Sequence, residues 1–262
     1  MTKNLFDAAY QCIIATDPTE KLELTQSTVK AWQLGQLNLN SNSSIKTILM
    51  PGLPKKLVLV APTKVPRRKF STIEGQAALL HAISHIEFNA INLAWDAVYR
   101  FRDLPRQFYD DWIKVAYEEA YHFSLLNEQL EKLEYSYGHF AAHNGLWEMA
   151  VKTEHDVLVR MALVPRVLEA RGLDATPPII AKLKSQSLSH LVKILEIILR
   201  DEIGHVAIGS YWFKYFCEQR SLESETTFKK LMSEYFTGSV KMPNVEARLA
   251  AGFSEAEIEL MN

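Results

Sequence analysis

Twice in this chain a stripe of apolar residues at helical spacing is interrupted by a glutamate and, three positions on, by a histidine. The two motifs are Glu119-Ala120-Tyr121-His122 and Glu202-Ile203-Gly204-His205. Residues three apart share one face of an α-helix, so each carboxylate and imidazole can reach one point. The stripes themselves read as core-facing. One runs Trp112, Val115, Glu119, His122, Leu126, Leu130, Leu133, and the other Leu191, Leu195, Ile198, Glu202, His205, Gly209, Trp212, Phe216. A carboxylate turned toward a core costs on the order of several kcal/mol unless it is paired or bound to a cation. A chain with this pattern must therefore pack long helices so that positive charge meets those glutamates.

Each motif has a further glutamate upstream at a similar distance: Glu87 precedes Glu119 by 32 residues and Glu169 precedes Glu202 by 33. Glu87 lies on a stripe with Leu80, Ser84, Ile91, Ala94 and Val98. The order Glu, Glu-x-x-His, Glu, Glu-x-x-His is the set with which four-helix bundles hold two metal ions in their core. Four carboxylates balance two divalent cations, and the imidazoles bind neutral. Ligation rich in oxygen with a few nitrogens suits iron, or manganese, better than structural zinc. The candidate metal ligands are thus Glu87, Glu119, His122, Glu169, Glu202 and His205. Glu154 competes with Glu169 for the third position: it lies on a face with Val151, Leu158, Met161 and Leu168, but 48 residues before Glu202. Even spacing favours Glu169, and a more central place on its helix favours Glu154. His81, His85, His139, His143, His155 and His190 read as surface or satisfied core histidines. His85, His155, Glu118, Tyr121 and Asp201 are close enough in sequence to the motifs to serve as supporting groups.

Helix punctuation divides the chain. Asp17-Pro18-Thr19-Glu20 reads as an N-cap, a proline at the first position and an acid at the third, and Ser71…Glu74 and Ser254…Glu257 have capping-box spacing. Helices are expected at about 3–15 and 18–34, the second stopped by Gly35. Four long helices follow at about 71–101, 105–134, 145–171 (ending at Gly172) and 188–217. A short helix around 178–185, started by Pro177-Pro178, links the last two. Ser221 is a candidate N-cap for the remainder. Residues 36–70 differ in kind, with asparagines and serines followed by prolines at 51, 54, 62 and 66 and a short apolar run, Leu57-Val58-Leu59-Val60. They read as an extended arm. Pro66-Arg67-Arg68-Lys69 reads as a solvated lead-in, with a phosphate or RNA contact as the alternative. The expected division is 1–70 for N-terminal helices and arm, 71–217 for a dimetal four-helix bundle, and 218–262 for C-terminal packing helices.

Composition narrows the class. At 262 residues the chain can bury a sizeable core, and a net charge of -2 gives no basic excess for wrapping nucleic acid. Cys12 and Cys217 are far apart and form no Cys-x-x-Cys site, which points to a reducing compartment. No signal-peptide pattern or membrane-length apolar run is present, so a cytoplasmic location and no membrane partner are expected. No flavin or nicotinamide motif is apparent, so electrons for any redox chemistry come from an external donor.

Several stretches resemble a known family. They are 77–87 (Ala77-Ala78-Leu79-Leu80-His81-Ala82-Ile83-Ser84-His85-Ile86-Glu87), 160–174 (Arg160 through Leu168-Glu169-Ala170-Arg171-Gly172 to Asp174), 200–209 (Arg200-Asp201-Glu202-Ile203-Gly204-His205 to Gly209) and 244–253 (Asn244-Val245-Glu246-Ala247-Arg248 to Phe253). Together they are similar to the ferritin-like family once catalogued as DUF455. The resemblance implies an all-α, ferritin-like four-helix bundle with a di-iron-type site, wrapped by extra N- and C-terminal helices and a proline-rich arm. Leu168-Glu169-Ala170-Arg171 also looks like a segment of dimetal hydroxylases that act on modified tRNA, where the glutamate is a ligand, and this favours Glu169. The expected function is O₂-dependent oxidation, hydroxylase or desaturase in type, of a small molecule or modified nucleoside by a monomer or small homo-oligomer. Two other classes compete: metal storage, which needs an assembly enclosing a cavity, and a metal-free helical scaffold with internal Glu–His hydrogen bonds.

Overall fold

The computed structural model describes residues 3–41, 43–66, 71–235 and 243–260; the basic residues 67–69 lie outside them. The fold is all-α, in keeping with a helical bundle. Among the described residues the sheet structure is one short parallel pair, β1 (Lys3–Asn4) beside β2 (Leu37–Asn38), and one isolated bridge. The chain divides into two compact units, Met1–Val151 and Lys152–Asn262.

In the first unit, α1 (Leu5–Ile14) is capped by Asn4, whose side chain accepts from the Phe6 and Asp7 amides. Helix α2 (Pro18–Gln33) starts as the sequence predicts: Asp17 accepts from the Glu20 amide at 3.0 Å with Pro18 at the first position. It stops at Gly35, whose φ of +67° lets the Gly35 and Gln36 amides turn back to the Trp32 and Ala31 carbonyls at 2.9 Å. The end of α1 is closed from inside. The buried Lys21 ammonium donates to the carbonyls of Cys12 (2.5 Å) and Ile13 (3.0 Å) and to Asn92 Oδ1 (2.7 Å). The proline-rich arm docks at the same end, where the Gly52 amide donates to the Ile13 carbonyl at 2.8 Å. A Cβ at Gly52 would lie 2.2 Å from the Ala15 carbonyl oxygen, so only glycine fits. The run 57–60 is extended, and Leu59 bridges Ala142.

Helices α3 (Ile73–Arg100) and α4 (Arg106–Lys132) are the long pair of this unit, joined by residues 101–105 and therefore antiparallel. The cap of α3 is Thr72, which accepts from the Gly75 amide at 3.0 Å, one residue later than the expected Ser71. From Glu87 to Arg100 every residue of α3 is buried. Several of its polar groups find partners inside: Asp96 takes Arg100, Asn92 Oδ1 takes Lys21, and Trp95 donates to Thr25 Oγ1 at 3.1 Å. Trp32 of α2 donates to Asp110 of α4 at 2.7 Å. Helix α5 (Gly145–Lys152) closes the unit.

The second unit departs from the sequence expectation. A single helix over 145–171 is not formed. After α5 the chain turns, and Asp156 caps a new helix, α6 (Val157–Leu163), by accepting from the Leu158 amide at 2.8 Å. Residues Val164–Glu169 are π-helical. Pro165 has no amide to give to the preceding turn, and its carbonyl accepts from Ala170, five residues on, at 3.0 Å. The helix does not end at Gly172. Helix α7 (Arg171–Ser185) continues through it and through Pro177 and Pro178, so no separate helix starts at those prolines. The Leu173 carbonyl, which the Pro177 nitrogen cannot serve, instead accepts from Asn244 Nδ2 at 3.2 Å. Then come α8 (Ser189–Gln219), α9 (Ser224–Tyr235), α10 (Val245–Ala250) and α11 (Glu255–Glu259). The start of α9 is supported by Glu223, which accepts from the Glu225 and Thr226 amides, and not by Ser221. Helix α11 has the predicted capping box of Ser254 and Glu257.

Candidate metal centre

The antiparallel register of α3 and α4 brings Glu87, Glu119 and His122 together. All three are buried, and each offers a ligand atom within 4.8 Å of the others. His122 Nδ1 lies 3.2 Å from Glu87 Oε2 and 3.4 Å from Glu119 Oε2. Burial alone would drive the imidazole neutral. Hydrogen bonds and charge from Glu119 and Glu87 outweigh that and raise its pKa to about 11. A proton on His122 supplies one positive charge to the two buried carboxylates. A cation placed among the same atoms would do so instead, releasing that proton.

In the second unit, Glu202 and His205 lie on one face of α8, both buried, with His205 Nδ1 3.8 Å from Glu202 Oε1. Glu169 is buried as well and ends the π-helical segment. Glu154 is not on a helix: it lies in the turn between α5 and α6 and is only partly buried.

A family comparison places the chain. The family described as "Protein of unknown function (DUF455)" matches residues 14–259. The chain belongs to the DUF455 family. An uncharacterized protein of Haemophilus influenzae is 52% identical to it over 217 residues, covering 79% of this chain and 74% of that protein. No solved structure matches.

Most of the other polar residues singled out in this DUF455 chain have structural work. His85 is bonded through Nδ1 to the Tyr137 hydroxyl (2.8 Å) and through Nε2 to the His143 carbonyl (2.9 Å), and burial lowers its pKa to about 4. His81 Nε2 accepts from the Gly138 amide at 2.9 Å. Both are satisfied core histidines. Glu118 faces Lys114 at 3.4 Å, and Asp201 pairs with Arg200 at 2.8 Å. Tyr121 is half exposed, and His155 is exposed. The chain also buries Arg166, inside the π segment, and no sequence signal singles it out: an arginine between Val164 and Val167 carries no periodic signal.

The donor chemistry of the α3–α4 group fits a metal ion. Two buried carboxylates and one imidazole converge, and hard oxygen with borderline nitrogen donors suit a divalent transition metal. Among the described residues no helix is long and apolar enough to cross a membrane. Both cysteines are free and buried.

Proposed function

We propose that this DUF455 protein is a nonhaem dimetal-carboxylate oxidoreductase of ferritin-like architecture. It holds two iron ions, with manganese as the alternative, through Glu87, Glu119, His122, Glu169, Glu202 and His205. The observation that carries the reading is the buried Glu87–Glu119–His122 group, at the place the sequence motif marks. The second motif, with Glu202 and His205 buried on one face of α8, repeats the first in kind and supplies the second histidine. In this reading residues 71–217 are the bundle that carries the centre, and 1–70 and 218–262 are its packing.

When bound and reduced, such a pair of ions supplies O₂ activation for hydroxylation or desaturation of an organic substrate. The chain's own contribution is positional. Glu87 and Glu119 sit on rigid, buried helical turns, so their oxygens cannot relax toward water. His122 gives up its proton when a cation arrives and becomes a neutral nitrogen donor. Electrons come from an external donor, and the substrate is a small molecule or modified nucleoside. The two free cysteines agree with work in the cytoplasm.

Metal analysis tests the reading. Protein reconstituted anaerobically with Fe²⁺ or Mn²⁺ and freed of excess ion should retain close to two ions per chain, and the reduced iron form should consume O₂. Retention of no metal would refute the proposal. Elution as a large cage would favour storage, whereas a monomer or small oligomer favours an enzyme.

A further inference from the structure

Three residues before Glu169, inside the π-helical segment, Arg166 is fully buried. Its guanidinium carbon stands 4.6, 4.3 and 4.5 Å from the ring centres of Phe213, Phe228 and Phe253. Its Nη2 lies 2.7 Å from Glu257 Oε2, and its Nε donates to Ser210 Oγ at 3.1 Å. A buried guanidinium with one carboxylate partner cannot move without leaving both charges bare. Three aromatic faces add cation–π attraction and fill the space into which it could move. Arg166 is thereby fixed to α8, α9, α11 and the turn before α11 at once.

The partner carboxylate is itself committed. Glu257 Oε2 also accepts the Ser254 amide at 2.9 Å, while the Glu257 amide donates to Ser254 Oγ at 3.2 Å, so the atom that begins α11 is the atom that receives Arg166. The far end of the π segment is held in the same way. Buried Arg248 of α10 donates to Asp174 at 3.0 and 2.6 Å and reaches the Ala170 carbonyl at 3.4 Å. Asn244 adds bonds to Asp174 and Leu173. Two arginines, one within the segment and one at its exit, thus tie a single irregular turn to residues 244–259. A π turn is rare and recurs at functional sites.

We infer that the C-terminal segment 244–259 is a clamp that fixes the π-helical turn and so aims Glu169, with Arg166 as the positioning residue. The inference rests on the reading of Glu169 as a metal ligand. The clamp explains why buried charge holds this irregular turn at both ends.

The full-length protein tests it with Mn²⁺ as the probe, titrated by calorimetry, and with amide hydrogen exchange of residues 166–170 in the metal-free protein. Glu169→Ala removes the ligand. Arg166→Met and Glu257→Gln leave all six ligands in place, and glutamine at 257 still serves the capping box, which keeps the test open if Arg166→Met fails to fold. Asp156→Ala is the control, a destabilised cap on α6 that does not touch the π turn. The clamp variants are expected to weaken one of the two Mn²⁺ sites about tenfold or more and to speed exchange across 166–170, whereas Asp156→Ala lowers Tm and changes neither. If Arg166→Met or Glu257→Gln loads and exchanges as the wild type does, with only Tm reduced, the buried pair serves stability alone and the clamp is overturned. If the clamp variants load normally while Glu169→Ala loses one ion, the clamp alone falls. If Glu169→Ala itself binds two ions with wild-type affinity, the ligand reading falls and takes the clamp with it.

Discussion

Gly209 separates α8 from the π turn by the width of one missing methyl group. A Cβ there would sit 2.5 Å from both Cβ and Cγ of Pro165, whereas ordinary contact begins at 3.4 Å. The proline ring is tied to the backbone and cannot swing aside, so Gly209→Ala must push α8 and the turn apart by roughly 1 Å. Overpacking of this kind costs about 1–3 kcal/mol, and a rigid neighbour puts the site at the upper end. Against it stands the gain of about 1 kcal/mol for replacing a helical glycine with alanine. The net expectation is a loss of about 2 kcal/mol. Gly204, on the same helix, isolates the two terms, because a Cβ there meets nothing within 4 Å. Gly204→Ala should therefore show only the propensity gain, a stabilisation of about 1 kcal/mol. Urea unfolding of the metal-free proteins followed by circular dichroism reads both. With m on the order of 2 kcal/mol/M, the midpoint should fall by about 1 M in Gly209→Ala and rise by about 0.5 M in Gly204→Ala at unchanged m. A Gly209→Ala variant as stable as the wild type would refute the close approach of α8 to Pro165, and with it part of the argument for a tightly held turn.

Three further outcomes are expected. Glu202→Ala should lose metal while Glu118→Ala, whose carboxylate faces Lys114, should retain it; equal loss by metal analysis would show that the ligand face of α4 is misassigned. Lys21→Met should destabilise by about 2–4 kcal/mol in a thermal or urea melt, because it strips the buried carbonyls of Cys12 and Ile13 and the Asn92 amide oxygen of their shared donor; a loss under half a kcal/mol, on the order of a surface substitution, would contradict that role. Asp156→Ala should cost about 1 kcal/mol near neutral pH through the lost cap. Burial raises the Asp156 pKa, but the Arg220 and Leu158 hydrogen bonds outweigh it and the pKa is lowered. The carboxylate's contribution is therefore present above its unfolded pKa and disappears as pH falls through the lower folded value, so unfolding midpoints of variant and wild type should converge in acid; a gap that stays constant down to the acid transition would count against the charged cap.

The parts of this fold that could be read from sequence are those whose cause is local. Asp17, Gly35 and the Ser254–Glu257 box act within four residues, and each does what its spacing predicts. Helices α3, α4 and α8 follow long apolar periods and fall within a few residues of the expected bounds. The candidate site was legible for a related reason. Glu87, Glu119 and His122 violate an apolar stripe, and a buried carboxylate is too costly to be placed there without a partner. Two local readings were close and still wrong: Ser71 and Ser221 have the right chemistry for caps, but Thr72 and Glu223 are the residues whose geometry meets the free amides.

The third long helix failed as an expectation because its outcome is set by tertiary contacts. From sequence, 145–171 is one apolar-periodic run and Pro177-Pro178 a starting signal. In the folded chain Asp156 competes for the helix backbone and wins with the help of Arg220, which reaches it from the far end of α8 at 2.6 Å. The prolines are tolerated inside α7 because Asn244, some seventy residues on, serves the carbonyl that Pro177 abandons. Pro165 is tolerated because a π turn forms there and Gly209 leaves room for its ring. The break also bears on the choice between the two glutamates of this region. Glu154 was favoured by a central place on a continuous helix, and that helix does not exist: the residue lies in a turn, partly buried. Glu169 sits in the buried turn that two arginines and a missing methyl group hold in an otherwise unfavourable conformation. A π turn held in place by distant residues is more readily explained at a position with chemical work than at one with none, which is the physical reason for preferring Glu169 over Glu154 in the proposed centre.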